Sequence, residues 1–317
     1  MEEIKNSFWQ CLLEIPVSIN ASYGDAFQPL QWNDTLNKLS ILASCGHKGP
    51  VMIGSKYIIT DAQFEEINRI NQNVWLFIAI TGLDKCCAFS MQEYEEYYFR
   101  ACRHLKNVVC AIRPIIPMRN DNMDTLLPVI QMVGKGRKML TYTGFKDSSI
   151  AGSPQYRNEP LFNFIEQKCR EYSILCFEKS VCIVCAVNQT DCFVHCKTIP
   201  INLDLIEAFG YKFNIDNGQL IITGHKNNNN LSKGDISFIK MLSKSSLVSG
   251  NISSLSQILS FRIDNTPLVS TSSWFNWARQ TNCIVGCDYC FAGYDSKTRI
   301  ELDYYGCNPT DLIKILQ

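Results

Sequence analysis

Three thiols stand close together near residue 285. Cys283, Cys287 and Cys290 are spaced C-x3-C-x2-C, with the aromatic Tyr289 immediately before the last. Three cysteines in one short loop can supply three thiolates to one inorganic centre. Iron–sulfur clusters are held by such thiolates, usually four of them. A cluster with only three protein ligands leaves one iron open to a small molecule. Zinc is the alternative occupant. It usually takes four ligands, often as two C-x2-C pairs, and His195 or Cys307 would complete such a set. A second cysteine-rich stretch places Cys182, Cys185, Cys192 and Cys196 at C-x2-C-x6-C-x3-C, a set able to hold a second cluster. The competing expectation is that Cys176, Cys182 and Cys185 lie in an apolar strand and merely pack. In a strand Cys182 and Cys185 would face opposite sides, which argues against joint ligation.

Sixteen cysteines in 317 residues is a high density. The first residues, Met1-Glu2-Glu3-Ile4-Lys5, lack the basic-then-apolar plan of a signal peptide. The expected location is therefore the reducing cytoplasm, where cysteine density reads as metal or redox chemistry rather than disulfides. Many of the sixteen will still pack as small hydrophobes. Lys and Arg number 30 against 30 Asp and Glu, so no global basic field draws the protein to nucleic acid or anionic lipid. No apolar run of about 18 residues is present, and no membrane span is expected.

The elements that must carry these thiols follow from periodicity. Residues 1–14, 33–45, 61–72, 91–106 and 122–133 show helical spacing. Residues 15–20, 50–54, 73–80, 108–117 and 137–143 are short apolar runs that read as buried strands. Such alternation predicts a parallel sheet, either a barrel or a doubly wound sheet. Polar groups collect at the carboxyl ends of these strands: Asn20 to Asp25, Ser55-Lys56, Thr81, Arg113, and Thr141 to Thr143. In a barrel that is where function gathers. Residues 201–265 differ in texture. Their spacing at Ile236, Ile239 and Leu242 predicts a small helical or mixed cap.

The cysteine motif resembles the signature of the radical S-adenosylmethionine (SAM) superfamily, with Tyr289 at its aromatic position. Tyr23-Gly-Asp-Ala-Phe-Gln-Pro29, Pro50 to Lys56, Ile80-Thr-Gly-Leu-Asp84 and Ile112 to Asp121 are similar to strand ends of its spore photoproduct lyase-like branch, as is Tyr289-Cys290-Phe291. The resemblance covers residues 15–145 and 270–295. It implies a 4Fe-4S cluster on Cys283, Cys287 and Cys290. The open iron would chelate the amine and carboxylate of SAM, and an electron from a flavodoxin- or ferredoxin-type donor would cleave the sulfonium to a 5′-deoxyadenosyl radical. It implies that Gly24 and Asp25 help seat the SAM amino end, with Ser55, Lys56, Thr81 and Arg113 as candidates for its ribose and carboxylate. Cys86 and Cys87, after the strand ending at Ile80, are candidate hydrogen donors to a product radical.

Family members carry the cluster motif on the first strand, whereas here it comes last. The expected fold is therefore a circularly permuted partial (β/α)6 TIM-type barrel. Residues 1–200 would form strands two onward, 201–265 would join the old ends, and 266–317 would supply strand one (Thr271 to Ala278), the cluster loop and the first helix. Two other functions stay open: a non-catalytic cysteine-rich interaction module holding zinc or an iron–sulfur cluster, and a nucleic-acid lesion repair lyase.

Overall fold

A computed structural model describes residues 17–19, 24–44, 46–70, 72–84, 88–145, 155–189, 207–208, 210–216, 219–225, 259–262, 275–277 and 284–285. Strands and helices alternate along the chain. They run β1 Val17–Ile19, α1 Pro29–Ser44, β2 Val51–Ser55, α2 Asp61–Arg69, β3 Val74–Ile80, α3 Met91–His104, β4 Asn107–Ile115, α4 Met123–Lys135, β5 Met139–Gly144, α5 Glu159–Glu171, β6 Leu175–Phe177 and α6 Ser180–Asn188. The strands are nearly continuous apolar runs because both faces are covered over much of their length. Thr60 and Ser90 start α2 and α3 with reciprocal capping boxes to Gln63 and Glu93, which satisfies backbone donors that a helix start would otherwise leave open.

Strands β1 to β6 pair in parallel, each with the next in the chain. The sheet order is β10-β1-β2-β3-β4-β5-β6, where β10 is Phe275–Trp277. From β1 to β6 the order never reverses. A doubly wound sheet needs such a reversal to place helices on its second face. Right-handed crossovers without one put the connecting helices on a single face. The helix contacts agree. Trp32 of α1 donates to Glu66 of α2 at 3.2 Å, and Phe64 of α2 stacks on His104 of α3 at 5.0 Å. The Tyr98 hydroxyl of α3 accepts from the Arg137 N–H that follows α4, at 3.1 Å. Gln131 of α4 donates to the hydroxyl of Tyr172, which follows α5. Six parallel strands with helices on one side are compatible with a partial barrel.

Side-chain alternation then identifies the other face. Tyr142 meets Phe162 of α5 at 5.0 Å and donates to Glu166 at 2.7 Å. Met139, Thr141 and Thr143 must therefore turn away from the helices. The register carries that face across the sheet through Ala111 to Ala79, and through Val109 and Phe77 to Gly54. At its amino-terminal end this face is filled by Met52, Trp75, Phe77, Val109 and Met139, all buried. Toward the carboxyl ends it carries Gly54, Ala79, Ala111, Thr141 and Thr143. Gly54 and Ala79 are only half-buried, and a Cβ placed on Gly54 would meet nothing within 4 Å. Large side chains below and small ones above leave an open hollow beside Gly54 and Ala79, while Ala111 and Thr141 further along the face are covered.

The chain forms two compact units. One comprises residues 16–188 and 276–303, and the other residues 1–15, 189–275 and 304–317. Within the second, β7 Tyr211–Asp216, β8 Gln219–His225 and β9 Leu259–Arg262 form an antiparallel sheet. The expected cap over residues 201–265 therefore contains strands. The helical spacing at Ile236 to Leu242 lies outside the described residues, as do the helices expected over 1–14 and 309–316. One expectation is corrected outright. Cys182 and Cys185 lie in helix α6, not in a strand, and both are buried. The segment Ser-Val-Cys-Ile-Val-Cys-Ala-Val is apolar all round, the pattern of a fully buried helix as much as of a buried strand.

Asn120 ties the strand ends beneath the hollow. Its Nδ2 donates to the carbonyls of Thr81 and Pro114 at 2.7 and 3.0 Å, and its Oδ1 accepts from Ile116 N–H at 2.6 Å. Asn120→Ala leaves three backbone groups without their partner and is expected to destabilise the parallel-sheet unit by about 3 kcal/mol. Urea unfolding followed by far-UV circular dichroism measures this; a loss below about 1 kcal/mol would show that Asn120 is not a strand-end tie.

Candidate functional site at the carboxyl ends of the strands

The site is built around one buried acid. After β1 the chain turns at Gly24, whose φ of 81° lies in the left-handed region that glycine adopts without strain. The turn delivers Asp25 beneath the loop after β2. Asp25 Oδ1 accepts from Phe27 N–H at 3.0 Å and from the Ser55 hydroxyl at 2.7 Å. Its Oδ2 accepts from Lys56 N–H at 2.6 Å and Tyr57 N–H at 3.2 Å. Burial holds the carboxyl above its ordinary range, against the smaller downward pull of these bonds. A carboxylate offers about four lone-pair directions, and protein donors fill all four. The expected role of Asp25 as a direct partner for a ligand amine thus meets a carboxylate already committed to joining two loops.

Lys56 spans the next two strand ends. Its Nζ donates to the carbonyls of Ala79 at 3.0 Å and Arg113 at 3.1 Å, while its own carbonyl accepts from the Tyr94 hydroxyl. Thr81 is buried, and its hydroxyl accepts from Leu83 N–H at 3.3 Å to shape the turn after β3. Gly82 follows with a φ of 77°, and a Cβ there would sit 2.8 Å from the Thr125 carbonyl. Asp25, Ser55, Lys56, Thr81 and Arg113, which the sequence placed at strand ends, therefore lie on one connected rim. Arg113 differs from the rest. It is exposed, yet protein surrounds it closely enough for desolvation to lower its pKa.

Two residues of the cysteine loop are described, Ile284 and Val285, between Cys283 and Cys287. Ile284 N–H donates to Gln28 Oε1 at 2.8 Å, and Val285 accepts at its carbonyl from Ala88 N–H at 3.0 Å. Gln28 is fully buried and directly follows the Asp25 turn, donating its own N–H to the Asp25 carbonyl at 3.2 Å. The loop between the first two motif cysteines is thus held by the segments after β1 and after β3. Sequence reasoning passed over Gln28, because a glutamine in a polar turn carries no distinctive spacing. Cys86, Cys87, Cys283, Cys287, Tyr289 and Cys290 lie outside the described residues. Ala88, however, is the residue directly after Cys87.

The six described cysteines are Cys102, Cys110, Cys169, Cys176, Cys182 and Cys185. Burial raises the thiols of Cys102 and Cys110, and the neighbouring Cys169 raises that of Cys176. A thiol held protonated is a poor ligand, since the thiolate binds metal. Among the described residues no group of three or more His, Cys, Asp or Glu is arranged to hold a metal ion. Cys192 and Cys196 of the expected second cluster lie outside them, while Cys182 and Cys185 sit in the core of α6. Nor, among the described residues, is any helix long and apolar enough to cross a membrane. The described part of the motif loop, Ile284 and Val285, is anchored at the carboxyl ends of the strands. Comparison of the sequence with protein-family models and with curated proteins gives no match.

Asp25→Asn replaces an acceptor-only group with one that presents two N–H donors toward existing donors. The variant is expected to lose about 2–3 kcal/mol of stability, read as an earlier unfolding midpoint in urea. Retention of wild-type stability would mean that the four contacts do not hold the loops.

Proposed function

We propose that this protein is a radical SAM enzyme on a circularly permuted partial barrel, with Cys283, Cys287 and Cys290 holding a 4Fe-4S cluster. The observation that carries the reading is the anchoring of Ile284 and Val285, inside the C-x3-C-x2-C motif, at the carboxyl-end rim beside a hollow of small residues. A loop at that rim faces the space where ligands of parallel α/β sheets bind. The order β10-β1 supports the permutation, since the strand preceding the motif lies beside the first strand of the chain. When bound, the cluster would supply the electron that cleaves the sulfonium of SAM.

The residues of this chain do the rest. Gln28 and Ala88 hold the cluster loop. The Asp25 network fixes the loop after β2 at the rim, and Ser55, Lys56, Thr81 and Arg113 are the candidates for the SAM ribose and carboxylate by their position at strand ends. The half-open Gly54–Ala79 surface gives a flat planar group room to lie without clash. Filled packing below keeps water from entering the hollow from the amino-terminal side, which matters for a reactive radical. Cys86 and Cys87 remain candidate hydrogen donors, because Ala88 ties their loop to the motif. Nucleic acid as substrate draws no support from the balanced charge.

Anaerobic protein reconstituted with iron and sulfide, then given dithionite and SAM, is expected to release 5′-deoxyadenosine and methionine, and Cys287→Ala is expected to release none. Absence of the nucleoside from the wild type, with zinc as the metal that co-purifies, would overturn the reading in favour of a structural module. Gln28→Leu removes the acceptor of Ile284 N–H and should lower retained iron per chain several-fold. Gln28→Glu, which keeps an oxygen there, should retain most of it. Iron analysis with the visible cluster absorbance compares the two, and equal iron in both variants would exclude Gln28 as a positioning residue.

A further inference from the structure

The loop of the cysteine motif keeps one side chain in and leaves its neighbour out. Val285 is 1% exposed, whereas Ile284 is 50% exposed. Ile284 lies between the first two motif cysteines, and its backbone is fixed by the 2.8 Å bond to Gln28. Two residues after Gln28, in the first turn of α1, Leu30 is 61% exposed. On the other flank the Val285 carbonyl accepts from Ala88 N–H. Ala88 is exposed, and Phe89 after it is half-buried with its ring edge-on to Tyr57 at 5.6 Å. A single exposed leucine or isoleucine needs no explanation. Here backbone bonds gather three segments at one loop, and Leu30, Ile284, Ala88 and Phe89 all leave apolar surface in water. Residues 27–31, 88–90 and 284–285 carry no charged side chain. Apolar surface gathered in this way marks a contact with another molecule.

We propose that this surface docks the electron donor, a small redox protein that presents the edge of a flavin or of an iron–sulfur cluster. The assignment rests on the radical-enzyme reading above, which needs an electron from outside the chain. The donor is oxidised by one electron. That electron is consumed in breaking the C5′–S bond of SAM, which yields methionine and the 5′-deoxyadenosyl radical. Electron transfer falls steeply with distance, so the donor has to seat against the loop that carries the motif. Among the described residues of that loop, Ile284 is the exposed side chain. Size points the same way. Redox encounters use small interfaces, below about 1,200 Å² in total, whereas permanent dimers bury about 2,000 Å² or more. Four part-exposed side chains suit the first. With 30 basic residues against 30 acidic ones, no global field steers a partner, and the contact has to draw on apolar burial.

The test measures binding apart from turnover. Oxidised flavodoxin is titrated calorimetrically into full-length wild type, Leu30→Glu, Leu30→Met and Met118→Glu. Met118 is 96% exposed but belongs to the loop after β4, not to these three segments. Wild type is expected to bind. Leu30→Glu should bind at least fivefold more weakly, because its carboxylate would be desolvated in an apolar contact. Leu30→Met and Met118→Glu should stay within twofold of wild type. Reconstituted protein then shows the consequence. With limiting flavodoxin hydroquinone as sole reductant, Leu30→Glu should release 5′-deoxyadenosine at least fivefold more slowly than wild type. With dithionite the two should agree within twofold. No binding by wild type, or equal binding by Leu30→Glu, would overturn the proposal. Equal slowing with dithionite would overturn it too, by tracing the effect of Leu30 to the motif loop itself. A wild-type dimer in sedimentation velocity that Leu30→Glu dissociates would give the surface to a second copy instead. Leu30-dependent binding in a protein that releases no nucleoside with dithionite would keep the docking surface and remove the radical-enzyme reading.

Discussion

A carboxylate without water must be surrounded by donors or give up its charge. Asp25 meets that demand with one hydroxyl and three backbone N–H groups drawn from two loops. The loops have no freedom to drift apart, because each departing N–H would leave a buried charge short of a partner. The described residues at the rim that follow Asp25 and Ser55 are positioned by this contact. Lys56 starts where Asp25 fixes its backbone, and its ammonium then reaches the carbonyls of Ala79 and Arg113. Gln28 starts three residues after Asp25 and reaches Ile284. One acid thus orients both the rim of the hollow and the loop of the cysteine motif.

The hollow itself follows from topology. A sheet whose strands follow one another without reversal gets its helices on one face only, and its other face must be filled by its own side chains or left for a ligand. Here Met52, Trp75, Phe77, Val109 and Met139 fill the lower part. Above them the residues shrink to Gly54, Ala79 and Ala111. A chain selected only for stability would have filled the open space beside Gly54 and would not have left the buried Thr141 hydroxyl without a partner. Departures from local rules of packing and polar satisfaction are expected where a site has been built.

Much of this fold was legible in the sequence, since helices and strands from β2 to β5 follow directly from periodicity and from runs such as Val74 to Ile80. The choice between a barrel and a doubly wound sheet was not, because a repeat of strand and helix has the same period in both. Only the strand order separates them. Cys182 and Cys185 were misread as strand residues because an apolar run of seven, Val181 to Val187, lacks the polar contrast that distinguishes a period of 3.6 from one of two. The strand-end candidates were legible as a group, yet their individual roles were not. Asp25 was legible as a strand-end acid, and only its four partners reveal that it also ties two loops together. Asn120 and Gln28 left no signal at all, because a side-chain amide acts through contacts distant in sequence.

The cysteine count illustrates how composition and placement diverge. Sixteen thiols suggest metal chemistry, but the six described ones are core or part-core residues of helices and strands, with Cys102, Cys110 and Cys176 held protonated by their surroundings. Gln28 and Ile284 are 256 residues apart in sequence and 2.8 Å apart in space. In a chain where the motif strand preceded β1, the same contact would be a local one between neighbouring strand ends. A hydrogen bond depends on where a strand lies in the sheet and not on when it is reached along the chain, so a separation of 256 residues is no obstacle to the contact.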